Sequence, residues 1–375
     1  MKASSLVLCS ALLLIGDGRS FAASVITETI PPPPQYTVTD LGSLGWVSAY
    51  GTGINSSGDV SGYVWNDIRV RASGQRSVRW TGTIGTYNES LGSGGYDTLG
   101  YDINDAGQVA GGSRFPANNQ YHAVRWTNGI PTDLGTLGGT TSFASGINTS
   151  GQVAGYSQLA GDFVTHAVRW TGTTATDLGS LGGNNSAAYD INDSGQVAGE
   201  STALGSSNRH AVQWTGTTPT DLGLGTANGI NNFGQVVGTA FNVTGSHATI
   251  WTETTPTDLG TLGGSSSEGL DINAFGVVVG MSWTTGNLTN EPFISIDGMM
   301  YNLNTLLVPG SNLWLFEALT GINDRGQIVG YGRVTSGERH AIRLDPVATV
   351  PEPTSGLLLA GPVAMLSLRR RRGRR

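Results

Sequence analysis

One short pattern, Ile-Asn-x-x-Gly-x-(Val or Ile)-x-Gly, dominates the chain. It occurs seven times, with isoleucines at Ile54, Ile103, Ile147, Ile191, Ile230, Ile272 and Ile322. The spacings are 49, 44, 44, 39, 42 and 50 residues. A period of this length marks a repeat architecture, in which each copy buries its apolar surface only against its neighbours. A second element, His-Ala-Val-Arg-Trp or a variant of it, follows each copy: Arg76–Trp80, His122–Trp126, His166–Trp170, His210–Trp214, His247–Trp251, Pro292–Ile296 and His340–Leu344. A third, Asp-Leu-Gly, starts at Asp40, Asp133, Asp177, Asp221 and Asp258, and decays to Ser90-Leu91-Gly92 and Asn302-Leu303-Asn304.

Each element has a physical reading. The segment ending at Ile-Asn is a short strand, and the Asn opens a turn in which its side chain bonds the backbone two residues on. Gly closes the turn, because a positive φ is cheap only for Gly. In the fourth copy, Asn192–Gly195 is thus a hairpin turn and Gln196–Gly199 begins the return strand. His210–Trp214 is a third strand, rich in strand-favouring residues. After a turn at Thr215–Thr217, Thr220–Gly223 is a short fourth strand.

Four short strands per period predict an all-β fold, a seven-bladed β-propeller over residues 36–344. The phase supports closure. The repeats open with Tyr36–Leu41, a fourth strand without a third, and end with His340–Leu344, a third without a fourth. The N-terminal strand can complete the last blade and remove the exposed edges. The alternative architecture is an open β-solenoid.

Composition agrees. Gly is frequent (57 residues) and charged residues make up only 13%, which excludes a helical bundle and a disordered acidic chain. The single cysteine, Cys9, lies in the N-terminal apolar stretch, so the body has no thiol chemistry and no disulfide.

Both ends read as addresses. Lys2, the apolar run Leu6–Ile15 and Ser20-Phe21-Ala22 form a signal peptide over residues 1–22, cleaved between Ala22 and Ala23 by a signal peptidase after export. A linker over residues 23–35 contains Pro31–Pro34. After a second linker, 345–349, residues 350–375 hold Val350-Pro351-Glu352-Pro353, an apolar stretch from Gly356 to Leu368, and Arg369, Arg370, Arg371, Arg372, Arg374 and Arg375. The apolar stretch is shorter than the roughly 20 residues of a spanning helix. The basic cluster belongs on the cytoplasmic side of a membrane. Removing residues 1–22 and the six terminal arginines takes the formal charge from −7 to −14. So acidic a body excludes nucleic acid as a partner.

Two families are similar to these features. The C-terminal order of Pro-Glu-Pro, short apolar helix and Arg patch resembles the PEP-CTERM sorting signal of bacterial exosortase substrates. That resemblance implies transient anchoring in the inner membrane, then cleavage near Pro351–Pro353 by an exosortase-type enzyme. Residues 36–344 resemble the HAF-repeat extracellular proteins, on the His-Ala-Val elements and on Asp-Leu-Gly-Thr-Leu-Gly-Gly at Asp133–Gly139 and Asp258–Gly264, with Ser in place of Thr at Asp177–Gly183. The family implies location and architecture but no reaction. The PEP-CTERM resemblance further implies association with exopolysaccharide.

Chemistry is sparse. All five histidines (His122, His166, His210, His247 and His340) share one repeat position, which suits a structural role, with backbone as the expected partner. Asp102–Gly107 and Asp190–Gly195 look a little like calcium loops, but the acidic spacing is wrong and no bidentate Glu follows. Asp67, Asp162 and Glu317 are non-repeat carboxylates available for glycoside hydrolysis, without a motif around them. No catalytic residue, metal ligand or cofactor is therefore assigned. The Asn-x-x-Gly turns lie at one end of the strands and are alike. The loops joining second and third strands lie at the other end and vary, which marks that end as the binding face. Trp65, Tyr121, Phe241, Trp314 and Phe316 are its candidate ligand residues. The sequence thus points to an exported cell-surface or matrix protein that binds a partner such as exopolysaccharide. The alternatives are a secreted glycan hydrolase or lyase and a purely structural envelope or biofilm component.

Overall fold

The computed structural model describes residues 32–66, 74–92, 97–115, 120–242, 245–311 and 315–347. The fold is all-β, apart from two short 3₁₀ turns at Thr285–Asn287 and Leu303–Leu306. The third repeat unit is typical. Strands Gly138–Ile147, Val153–Leu159, Thr165–Thr171 and Thr174–Asp177 pair antiparallel in sequence order. The short fourth strand expected at Thr220–Gly223 is instead the start of a 13-residue strand, Thr218–Ile230. Its first half pairs with the third strand of its own unit and its second half with the next unit. Single parallel bridges such as Thr165–Asn185 and Ser48–Arg339 also link neighbouring units, giving sheets of 8, 15 and 4 strands.

The N-terminal strand Tyr36–Gly42 pairs antiparallel with the C-terminal strand Arg339–Pro346. Side chains repeat the message. In the third unit, Nδ1 of His166 lies 2.9 Å from Asp177, eleven residues on. The same pair forms in the last unit between His340 and Asp40, 300 residues apart, at 2.9 Å. Tyr36–Gly42 therefore occupies the fourth-strand position of the seventh unit.

These pairs correct one expectation. The histidines bond a carboxylate rather than backbone, at 2.8–3.1 Å in all five units that carry them. In each, the other task of the Asp is to accept the amide of the Gly two residues later, so the Asp-Leu-Gly turn and the His strand are tied together. In the first unit the pair is replaced by the Arg76 guanidinium, 4.0 Å over the ring of Tyr87. In the sixth, the register differs by one from Pro292–Ile296: Val278 pairs with Ser295, as Val197 pairs with Trp214. Glu291 therefore stands at the His position, and it accepts from Asn304.

The core lies between units. Trp170 packs with Ala110 and Ala123 of the preceding unit, Trp214 with Ala154 and Ala167, and Trp251 with Ala198 and Ala211. A large side chain on one sheet thus fills the space left by small ones on the next, which gives dense packing without strain. Trp80 does the same against Val329 and Ala341, joining the first unit to the last.

The Asn-x-x-Gly turns are bound together as well. Asn148 Oδ1 accepts from Gln152 N inside its own turn, while its Nδ2 donates to the carbonyl of Asn192, 3.1 Å away in the next unit. The same inter-unit bond runs from Asn55 to Asn104, Asn104 to Asn148, Asn192 to Asn231, Asn231 to Asn273 and Asn273 to Asn323. Asn323 donates to Asn55 at 2.9 Å, which returns the series to its start. All seven are buried. Asn192→Ala removes the inter-unit bond and leaves turn amides without an acceptor, so it should lower stability by about 3 kcal/mol. Urea unfolding checks this; a loss below about 1 kcal/mol would show that the amide series is dispensable.

Candidate functional site

Every first strand carries a β-bulge two residues before its Ile, as between Ala144 and Gly146 or Ala188 and Asp190. The bulge pushes a strand carbonyl toward the second strand. A Cβ on Gly155 would lie 1.9 Å from the carbonyl oxygen of Phe143, and all six equivalent glycines meet the same obstacle. That close approach explains the last Gly of the repeat pattern. The bulge also turns Thr52, Tyr101, Ser145, Tyr189, Asn228, Leu270 and Thr320, one from each unit, into a common narrow cavity of about 110 Å³.

Three carboxylates share this axial cavity. Asp102 accepts from the amides of Ile103 and, in the next unit, Ile147 at 2.8 and 2.9 Å. Asp190 joins Ile191 to Ile230 and Asp271 joins Ile272 to Ile322 in the same way. Each remains partly open to the cavity, yet protein surrounds it closely. Burial pushes the Asp102 carboxyl up to about 7, helped by the charge of Asp190 and opposed by the two amide bonds. Burial raises Asp190 and Asp271 as well. The loops that look like calcium sites use their acids otherwise: Asp102 faces the axis, and Asp105 accepts the amide of Ser56. Among the described residues, no group of three or more His, Cys, Asp or Glu is placed to hold a metal ion.

From the bulge residue Tyr101 outward toward the variable loops, aromatic rings form a band across four units. Tyr50 meets Tyr331 edge-on with centroids at 4.9 Å and stacks on Tyr63 at 4.7 Å. The band continues from Tyr63 to Tyr101 at 6.5 Å, to Phe143 at 6.4 Å and to Tyr156 at 5.6 Å. These separations are those of favourable ring pairs. Arg339 lies 4.9 Å over Tyr50, bonds its hydroxyl and is held by Glu317. Although burial acts upward on Glu317, the bonds from Arg339 and Arg333 hold its carboxyl below the usual range. Glu200 is paired with Arg209 at 3.2 Å.

The sequence candidates fall unevenly. Tyr121 joins the band, its ring 4.9 Å from Phe143. Trp65 and Phe241 stand at one repeat position, the fifth after the leading Val of the second strand, which Trp283 also occupies. Phe241 is 46% exposed and Trp283 is 37% exposed, whereas Trp65 is half-buried. Phe316 is not a face residue: it is 5% exposed and packs in the core with Tyr36, Leu303 and Leu319. Asp162 accepts from the amide of Thr140 and shapes its own loop. Trp314, Asp67, the Ala22–Ala23 junction, Val350–Pro353 and the Arg369–Arg375 cluster lie outside the described residues. The other tyrosines of the band are not among the sequence candidates, though a signal exists: Tyr63, Tyr156 and Tyr331 each directly follow the last Gly of the repeat pattern.

No protein-family model matches the chain, and no curated protein matches it. Among solved structures, the chain is similar to the β-propeller domain of the Trilobed protease from Pyrococcus furiosus. The TM-score is 0.55 at 9% identity, covering 82% of this chain and all of that domain, which is described as having an open velcro topology. The acylaminoacyl peptidase of Pyrococcus horikoshii matches at a TM-score of 0.47 and 10% identity, over 78% of this chain and 52% of that one. TolB from Acinetobacter baumannii matches at 0.41 and 14%, over 64% of each chain. The first likeness identifies a fold of β-propeller type.

The axial carboxylates make a pH dependence calculable in sign. Asp102 rises from an ordinary 3.8 to about 7 in the folded protein. The native state then binds more protons than the unfolded chain, so the contribution is full below the lower value and lost as pH rises through the upper one. The melting temperature should be higher at pH 5 than at pH 8. Asp102→Asn should flatten the profile by on the order of 2 kcal/mol. A variant whose profile parallels that of the parent would exclude Asp102 as the source.

Proposed function

We propose that the chain is an exported seven-bladed β-propeller that binds an extracellular glycan, without turning it over, through the face bearing its variable loops. The observation that carries this reading is the aromatic band from Tyr331 to Tyr156, with the half-exposed Phe241 and Trp283 further round the same end of the strands. Partly exposed rings offer flat apolar surface with polar edges, the chemistry that receives the faces of sugar rings. Support for seven blades comes from the seven linked asparagines and from the seventh unit's use of the N-terminal strand. Binding is favoured over hydrolysis because Glu317 and Glu200 are engaged by arginines, not facing each other as an acid and a nucleophile.

Export and processing belong to the same proposal. The signal peptide at residues 1–22 and the Pro-Glu-Pro, apolar and Arg-rich tail at 350–375 would deliver the propeller to the cell surface or matrix, after transient anchoring in the inner membrane. Intact mass of the protein from native envelope and medium fractions tests that part. A start near Ala23 and an end near Pro351–Ser355 is expected; retention of Arg369–Arg375 would overturn exosortase processing.

A glycan array probed with the mature protein tests the binding part. Binding to at least one class is expected, weakened about tenfold by Tyr63→Ala, the loss of one stacked ring. Absence of binding across a broad array would favour a structural role, and release of new reducing ends would favour a hydrolase.

A further inference from the structure

The cleft between the fifth and sixth repeat units is built differently from the aromatic band. It encloses about 270 Å³. Phe241 and Trp283 are half-exposed on its walls, from the same repeat position of adjoining units. Among the described residues lining it, Glu268 is the only charged one, and it accepts from Asn228 at 3.2 Å. Thr239 lies at its base, 6% exposed, with its hydroxyl bonded to no protein group. Asn290 adds an amide at the rim.

These features specify a ligand. A buried hydroxyl without a partner marks a position where a bound molecule completes a hydrogen bond. Two aromatic faces attract a cation or the apolar face of a sugar. A lone carboxylate beside them calls for positive charge. We infer that this cleft is a subsite for an amino sugar bearing a free ammonium group, with the ring against Trp283 and Phe241, the ammonium at Glu268 and a hydroxyl at Thr239. The inference rests on the glycan-binding reading and deepens it by naming the sugar class. Burial raises the Glu268 carboxyl and the Asn228 bond offsets this only in part, so a ligand cation would stabilise its charged form. The formal charge of −14 left once residues 1–22 and the terminal arginines are removed favours the same sign of ligand.

The probes are three oligosaccharides of equal length: fully deacetylated glucosamine oligomer, its N-acetylated counterpart and cello-oligosaccharide. Calorimetric titration of the mature protein in about 0.3 M salt screens long-range attraction between the acidic body and the cation. The glucosamine oligomer should bind about tenfold more tightly than either other probe, as expected for an ammonium held by a carboxylate and aromatic faces. Glu268→Gln and Trp283→Ala should each remove most of that preference. Glu268→Gln is a near-isosteric change of a side chain open to the cleft, so it retains the test if Trp283→Ala fails to fold. Binding that is indifferent to the amine and to Glu268→Gln, yet weakened by Tyr63→Ala, would overturn this subsite and leave the glycan reading standing. Failure of all three probes together with a blank glycan array would overturn both.

Discussion

The asparagine amide is suited to its place because it carries an acceptor and a donor on one short planar group. Oδ1 of Asn192 accepts from the amides of Ser194 and Gln196, which fixes the turn. Nδ2 is then left pointing outward, and it reaches the carbonyl of Asn231. Aspartate would close the turn but could not donate. A buried amide with every group satisfied is rigid, and one left half-satisfied is costly. Turn formation and docking of the next unit are thus coupled through a single side chain. The tryptophan-on-alanine packing, the axial bulges and the variable loops all depend on the unit spacing that this coupling sets.

The repeat is legible in sequence because its punctuation is local. The turn of Asn148–Gly151, the strand order and the use of Tyr36–Gly42 by the last unit all follow from residues a few positions apart or from the phase of the pattern. What stays hidden depends on contacts between strands or units. His166 finds Asp177 only once the third and fourth strands are paired. The bulge before each Ile adds one residue to a strand without leaving a mark in the spacing, yet it decides what faces the axis. Phe316 reads as a loop aromatic until the strand Leu315–Ile322 places it against Leu319 and Tyr36. The cleft at Glu268 draws on six strands from two units, so no short motif could announce it.

The two ends of the strands are under different constraints. At the asparagine end, each unit must present the same groups to its neighbours, and Arg79, Arg125, Arg169 and Arg343 reinforce this by donating to the turn glycine carbonyl of the next unit. At the other end no such cyclic bonding constrains the residue that follows the last pattern Gly. It is Tyr63, Gly112, Tyr156, Glu200, Thr239, Met281 and Tyr331 in turn. The tyrosines fall in the seventh, first and third units, and Glu200, Thr239 and Met281 in the fourth to sixth, so a nearly uniform scaffold carries a lopsided surface.

The residue before each Ile alternates: Gly53, Asp102, Gly146, Asp190, Gly229, Asp271, Gly321. A Cβ on Gly146 would lie 2.9 Å from Cα of Asp190, so each Asp needs a Gly in the unit before it. The working module along the axis is therefore a pair of units, not one. Pairs cannot tile seven repeats, and the leftover falls between Gly321 and Gly53, neither of which carries a carboxylate. The chain's first and last strands are zipped together inside the seventh unit, beside that joint. Chain closure and parity thus place their irregularities side by side: the chain ends meet within the seventh unit, and the one break in the axial alternation falls between that unit and the first, while the six other junctions keep it.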